Sequence, residues 1–209
     1  MGDPAWAVVL PVKRLAAAKA RLRGAVPAPA HDRLVLAFAV DTVTAVLACP
    51  AIAEVIVVTD DPAVRERVAE LGALVVPDDP DAGLNAAVAH GAALATGGGL
   101  GVAALTADLP ALHPADLADA LGAAGGRRSF VPDASGVGTV LLAAPPGVRL
   151  DPRFGPESAA AHAASGAARL PGDWPSLRRD VDTADDLAFA VALGVGRHTA
   201  ALLAALSPG

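Results

Sequence analysis

Tyrosine is absent from this chain of 209 residues, which holds one cysteine, one methionine and two tryptophans. The lone Cys49 excludes an internal disulfide framework and a zinc centre built on thiolates. Set in an apolar stretch, it reads as a buried, inert thiol. Aromatics supply 3% of the residues while hydrophobic types supply 54%. The core must therefore be assembled from Val, Leu and Ala, as in parallel strands enclosed by helices. Basic residues are also short, 16 against 22 acids for a net charge of −6, which argues against non-specific binding to nucleic acid or an anionic membrane. No apolar run reaches the ~20 residues that a bilayer crossing needs. Lys13 ends the first run, Asp41 interrupts the richest, and Asp3 stands where a targeting segment would be basic. A soluble, cytoplasmic protein is expected. Length, and the lack of any long linker, predict one domain over residues 1–209.

What is present is an alternation. Residues 5–10 form a nearly unbroken apolar run, predicting a buried strand. Leu34, Phe38, Val43, Val46 and Leu47 recur at helical spacing over 31–49, and Pro50 stops that helix. Residues 55–59 predict a second strand, after which Asp61 and Pro62 supply a cap and a first-turn proline for a helix ending near Gly72. A strand at 74–76, a helix over 83–95, a glycine loop at 97–99, a strand at 102–106 and a helix opened by Pro114 continue the series. Such alternation predicts an α/β fold, a parallel sheet with helices on both faces. Phe130-Val131 and residues 140–143 flank a turn at Ser135-Gly136, which predicts an antiparallel excursion. A last strand is expected at 177–181, leading into a helix capped by Thr183 with Asp186 as the capping-box acid.

In such sheets ligands gather beyond the carboxyl ends of the strands. The first loop there, residues 11–23, contains Lys13, Arg14, Lys19, Arg21 and Arg23 and no acid. An acidic protein that collects cations at a strand end is suited to bind an anion such as a triphosphate; a solvated basic helix start is the plainer alternative. Asp108 follows the strand at 102–106, and Pro110 and Pro114 delay the next helix, so this carboxylate is free to serve as a Mg²⁺ ligand. Asp180 and Asp182 share a face if their segment is extended. Asp182 is equally placed to be a helix cap or a metal ligand, while Asp185 and Asp186 suit the helix dipole.

Together these residues resemble a known family. Leu10-Pro11-Val12-Lys13 with Ala18-Lys19-Ala20-Arg21-Leu22, the Asp108-Leu109-Pro110 turn and Asp180-Val181-Asp182-Thr183 look like the guanylyltransferases of coenzyme F420 biosynthesis. Gly83-Leu84-Asn85, the turn at 136–139, and Phe154-Gly155 with Ser158 and His162 extend the match in order along nearly the whole chain. The resemblance implies a mainly parallel three-layer sheet of the nucleotide-diphospho-sugar transferase type, GT-A-like and Rossmann-like, with one antiparallel strand. It implies transfer of GMP from GTP to phosphoenolpyruvate or 2-phospho-L-lactate, with release of pyrophosphate. Lys13, Lys19 and Arg21 would hold the GTP phosphates and carry the catalytic charge. Gly83, Leu84 and Asn85 would lie by the base and ribose; Asp108 and Asp182 would share Mg²⁺; Thr139, Gly155 and Ser158 would hold the acceptor. Val137 departs from the family's threonine between two glycines, which leaves the register of Thr139 open by one position. The first loop lacks glycine until Gly24, which disfavours a sugar-phosphate nucleotidyltransferase.

The resemblance implies in-line attack of an acceptor phosphate oxygen on the α-phosphorus, a meeting of anions governed by charge neutralisation and alignment. A phosphate dianion needs no general base, so the histidines receive no catalytic role; His162 packs or meets acceptor oxygen. Competing readings are a same-fold transferase with another acceptor, a non-catalytic nucleotide-binding protein, and a glycosyl transferase with Asp180-Val181-Asp182 as its Asp-x-Asp. The Ala-rich helices also leave room for a homodimer.

Overall fold

The computed structural model describes residues 5–15, 19–22, 26–95 and 98–206. Four parallel strands form one half of a seven-stranded sheet: β1 (Trp6–Pro11), β2 (Ile52–Val58), β3 (Leu74–Val76) and β4 (Gly101–Leu105). The other half is β5 (Ser129–Pro132), β6 (Thr139–Ala144) and β7 (Ala168–Arg169), in the order β3-β2-β1-β4-β6-β5-β7. Strand β6 runs antiparallel to both β4 and β5, which is the expected excursion.

Strand β1 shows why the apolar runs carry no polar face. Val8 and Leu10 pack with α1 (Ala28–Leu47), α2 (Pro62–Glu70) and α4 (Pro114–Ala123), whereas Val9 between them packs toward α3 (Leu84–Ala93). Both sheet faces are covered, so alternate residues meet different helices and all must be apolar. Helix α3 comes so close that a Cβ on Gly91 would lie 2.6 Å from Val9 Cγ1; only glycine fits there. On the same face, α5 (Ser158–Ala164) covers Phe130 and Leu142. The outer face of α1 buries Leu34 and Phe38 against α7 (Ala184–Leu193) and α8 (Arg197–Leu206).

Local signals act as their chemistry requires. Asp61 Oδ1 accepts from the amides of Ala63 and Val64, and Pro62 opens α2. Its other oxygen accepts from Leu15 N at 3.0 Å, tying the first loop to the second. Thr183 and Asp186 form the reciprocal capping box of α7. Cys49 is buried, and burial pushes its thiol up.

The strand expected at 177–181 does not form. Pro175–Arg178 is instead a short helix, α6, and the chain beyond it crosses to the end of β4 without joining the sheet. Pro175 takes a first-turn position, where its missing N–H costs nothing, and Trp174 and Leu177 are buried at helical rather than strand spacing. Among the described residues no single helix is long and apolar enough to cross a membrane.

Candidate active site

The carboxyl ends of β1 and β4 open into a cleft of about 360 Å³ lined by Pro11, Lys13, Lys19, Leu84, Asp108 and Asp182, among others. A side cleft of about 220 Å³ shares Pro11, Val12, Lys13 and Leu84 with it and continues to Asp60, Asp78 and Gly83. The main cleft takes its negative charge from two distant segments. Asp108 follows β4 in a turn held by Leu109 N donating to Thr42 Oγ1 at 3.0 Å. Val181, itself buried, donates its amide to the Asp108 carbonyl at 3.1 Å, which brings the flanking Asp180 and Asp182 alongside. One carboxylate oxygen from each of Asp108, Asp180 and Asp182 lies within 4.8 Å of the other two. Among the described residues, Asp108 Oδ1 is buried without a hydrogen-bond partner, and so is Thr106 Oγ1 on the same cleft wall.

Three converging carboxylates raise one another's proton affinity unless a cation intervenes. Asp180 is pushed up to about 7, by burial first and then by the Asp108 charge, with Lys19 opposing. Asp182 is also penalised by burial, but Lys19 and Arg21 outweigh this and hold its carboxyl below the usual range. Lys19 Nζ donates to Asp108 and, at 2.6 Å, to Asp182 Oδ1; Arg21 pairs with the other Asp182 oxygen. Burial alone would lower the Lys19 ammonium, yet the two acids drive it above its ordinary value. Hard oxygen ligands at this spacing, one of them unsatisfied, fit a small divalent cation.

Of the remaining sequence-predicted residues, Lys13, Gly83 and Leu84 line these clefts, and Asn85, Thr139, Gly155 and Ser158 do not. Lys13 is exposed on the wall common to both clefts. Gly83, with φ +92°, precedes α3 in a conformation that strains any L side chain. Leu84 lines both clefts, but the Asn85 side chain is committed elsewhere. Its Nδ2 donates to Phe154 O at 2.9 Å and its Oδ1 accepts from Phe154 N at 2.7 Å, clamping the 151–157 loop to α3. Gly155 belongs to that loop and has φ +139°; its carbonyl accepts from Ser158 N, which begins α5. Thr139 is buried at the start of β6, with Oγ1 2.9 Å from His162 Nδ1. Thus Asn85, Thr139, Gly155 and Ser158 meet around one loop, beside rather than on the carboxylates. Arg23 and residues 16–18 lie outside the described residues.

Three comparisons with known proteins bear on this arrangement. The phosphoenolpyruvate guanylyltransferase of Salinispora arenicola is 65% identical over 206 residues, covering 97% of this chain and 95% of that protein. Residues 26–171 match the MobA-like NTP transferase domain. The chain belongs to the phosphoenolpyruvate guanylyltransferase family. A nucleotidyl transferase from Methanothermobacter thermautotroptrophicus superposes with a TM-score of 0.61 at 22% identity, covering 92% of this chain and 98% of that one. A protein assigned as a nucleotide-diphospho-sugar transferase, from Desulfovibrio desulfuricans, gives 0.64 at 18% identity over 98% and 99%. The expected fold type is therefore the observed one, and the chain is an enzyme of the nucleotidyltransferase class.

Within this guanylyltransferase family member, two site features escaped the sequence. Thr106 was legible only as the last residue of the strand expected at 102–106. The constraint on His162 was not legible at all: Nε2 accepts from Arg153 N at 2.9 Å, so the neutral ring carries its proton on Nδ1, facing Thr139. Burial, helped by the Arg128 charge, holds His162 down to about 4. Between pH 6.5 and 4 an unfolded chain takes up a proton that the folded ring refuses, so the stabilisation is complete above 6.5 and is lost as pH falls. Urea unfolding at pH 7.5 and 4.5 is expected to show up to ~3 kcal/mol of extra acid loss relative to His162→Gln; equal losses would contradict the assignment.

Proposed function

We propose that the chain transfers GMP from GTP to phosphoenolpyruvate, releasing pyrophosphate, as a step in coenzyme F420 biosynthesis. The observation that carries the proposal is the meeting of Asp108, Asp180 and Asp182 with Lys19 and Arg21 at a strand-end cleft that Lys19, Asp108 and Asp182 line. Family membership supplies the reaction; the site supplies the charges that reaction needs.

An acceptor phosphate oxygen attacks the α-phosphorus of GTP, forming a new P–O bond, while the bond to the β-phosphate oxygen breaks and pyrophosphate leaves. Lys13, Lys19 and Arg21 bind the triphosphate and offset its repulsion of a second anion. Asp108, Asp180 and Asp182 would hold Mg²⁺, which when bound neutralises phosphate oxygens. Gly83 and Leu84 let the base and ribose approach the side cleft. There Asp60, which already accepts from Asp78 N and pairs with Arg14, and Asp78 would supply carboxylate oxygens suited to the ring N–H and amino donors of guanine and not to the bare ring nitrogen of adenine. Asn85 acts through its clamp on Phe154, and Gly155, Ser158 and Thr139 would hold the acceptor, as the family resemblance implies. No side chain serves as general base, consistent with the burial of His162.

Incubation with GTP, Mg²⁺ and phosphoenolpyruvate is expected to yield pyrophosphate and a product heavier than the acceptor by one guanylyl group. Faster turnover of 2-phospho-L-lactate would overturn the choice of acceptor. Absence of pyrophosphate with both acceptors would overturn the reaction.

A further inference from the structure

We propose that the Lys19 ammonium is a built-in counter-cation of the metal seat, holding Asp108 and Asp182 together in the free protein and leaving when a divalent cation enters. The inference rests on the reading of these carboxylates as that seat. Its consequence is that metal entry and delivery of Lys19 to the triphosphate are one event.

The argument begins with charge. Lys19 Nζ is bonded to both Asp108 and Asp182, and its side chain is 13% exposed. A divalent ion ligated by the same oxygens would lie within a few ångströms of the ammonium, where like charges repel strongly at low dielectric. The two cations therefore exclude one another. Asp180 has no hydrogen bond to Lys19, and Asp108 Oδ1 has no partner among the described residues, so a third carboxylate and a further oxygen stay available to the incoming ion. Arg21 differs: among the described residues its ion pair is with Asp182, not Asp108, and its side chain is 72% exposed.

The lysine is also built to swing. Its backbone is pinned, because the Lys19 carbonyl accepts from His31 Nε2 at 3.1 Å and from Leu22 N at 2.9 Å. The φ of +52° is one that an unbranched residue adopts only under such constraint. The side chain beyond this anchor is a flexible four-carbon stem ending in a point charge. Lys19 and Lys13 line the same cleft, so an ammonium released from the carboxylates enters the space where a triphosphate would supply replacement oxygens.

Mn²⁺ titration of the nucleotide-free protein, read by electron paramagnetic resonance of unbound Mn²⁺, tests the exchange. Lys19→Met is expected to bind Mn²⁺ at least about tenfold more tightly than wild type, a change of ~1.4 kcal/mol, and Arg21→Ala to gain less. Without metal, Lys19→Met is expected to melt below wild type, and Mn²⁺ to restore it. Should the methionine variant not fold, Lys19→Gln carries the same test. Unchanged or weaker Mn²⁺ binding in the Lys19 variants would overturn the proposal. If the Asp108→Asn, Lys19→Met double variant still bound Mn²⁺ tightly, the carboxylate seat itself would fall, and the proposed function with it.

Discussion

Asp108→Asn is expected to lower kcat/KM for guanylyl transfer at least about a hundredfold, ~3 kcal/mol, while leaving the fold intact. The substitution keeps the side-chain volume and leaves untouched the Asp108 carbonyl that receives Val181 N. It therefore tests charge and not architecture. Asparagine places an NH₂ donor among two remaining carboxylates and removes one hard oxygen ligand, so cation affinity and phosphate neutralisation fall together. Lys19 also loses half of its support. Turnover within a few-fold of wild type, measured with saturating Mg²⁺, would remove Asp108 from the site.

The largest stability effect is expected far from the chemistry. Asp41 lies in α1, and its side chain is 2% exposed. Oδ1 accepts from His198 N at 3.1 Å and sits 2.8 Å from His198 Nδ1; Oδ2 accepts from Thr199 N at 2.8 Å. A residue 157 positions away thus caps the start of α8, whose own lead-in of Gly194, Val195 and Gly196 has no capping side chain. Gly196 is required for this approach, since a Cβ there would lie 2.4 Å from Asp41 Cγ. Asp41→Ala leaves these amides without an acceptor and is expected to cost ~3 kcal/mol. For a chain of this length that lowers Tm by roughly 6–12 °C in a reversible melt. Asp41→Asn, which keeps one acceptor oxygen, is expected to lose less. A Tm within about 1 °C of wild type for the alanine variant would show that α8 is held by its apolar face alone.

Asp41 also marks what the sequence conceals. In one dimension it only interrupts an apolar stretch of α1; its partner amides lie at the other end of the chain. The strands β1 and β4, and β2 from Val55 on, were legible because burial leaves apolar runs, and the boundaries of α2 and α7 because Asp61, Pro62, Thr183 and Asp186 act on their nearest neighbours. Residues 177–181 misled because an apolar pair around a few polar residues satisfies a strand as well as a single helical turn. Strand β7, two residues long, has no pattern to detect. Helix α8 did carry a signal, with Thr199, Leu202 and Leu206 at helical spacing.

The site divides in the same way. Lys13, Lys19 and Asp108 stood out as charges beyond strand ends and Asp182 through the family resemblance, and the fold brings all four to one cleft. Asp180 could not be settled, because whether it joins Asp108 depends on how the 179–182 segment crosses the end of β4. The Lys19 contacts with both acids depend on a loop meeting two other segments, and no spacing encodes that. Asn85 and Thr139 were found as positions, but their partners Phe154 and His162 emerge only from packing.

The central claim is that Asp108, Asp180 and Asp182 form one divalent-cation seat facing the cationic first loop. Anomalous diffraction from crystals grown with Mn²⁺ and GTP locates that ion directly. A peak bounded by oxygens of all three aspartates, with the Lys19 ammonium turned toward phosphate, is the predicted result. A peak held by other residues, or Lys19 still bridging Asp108 and Asp182 beside a bound nucleotide, would contradict it.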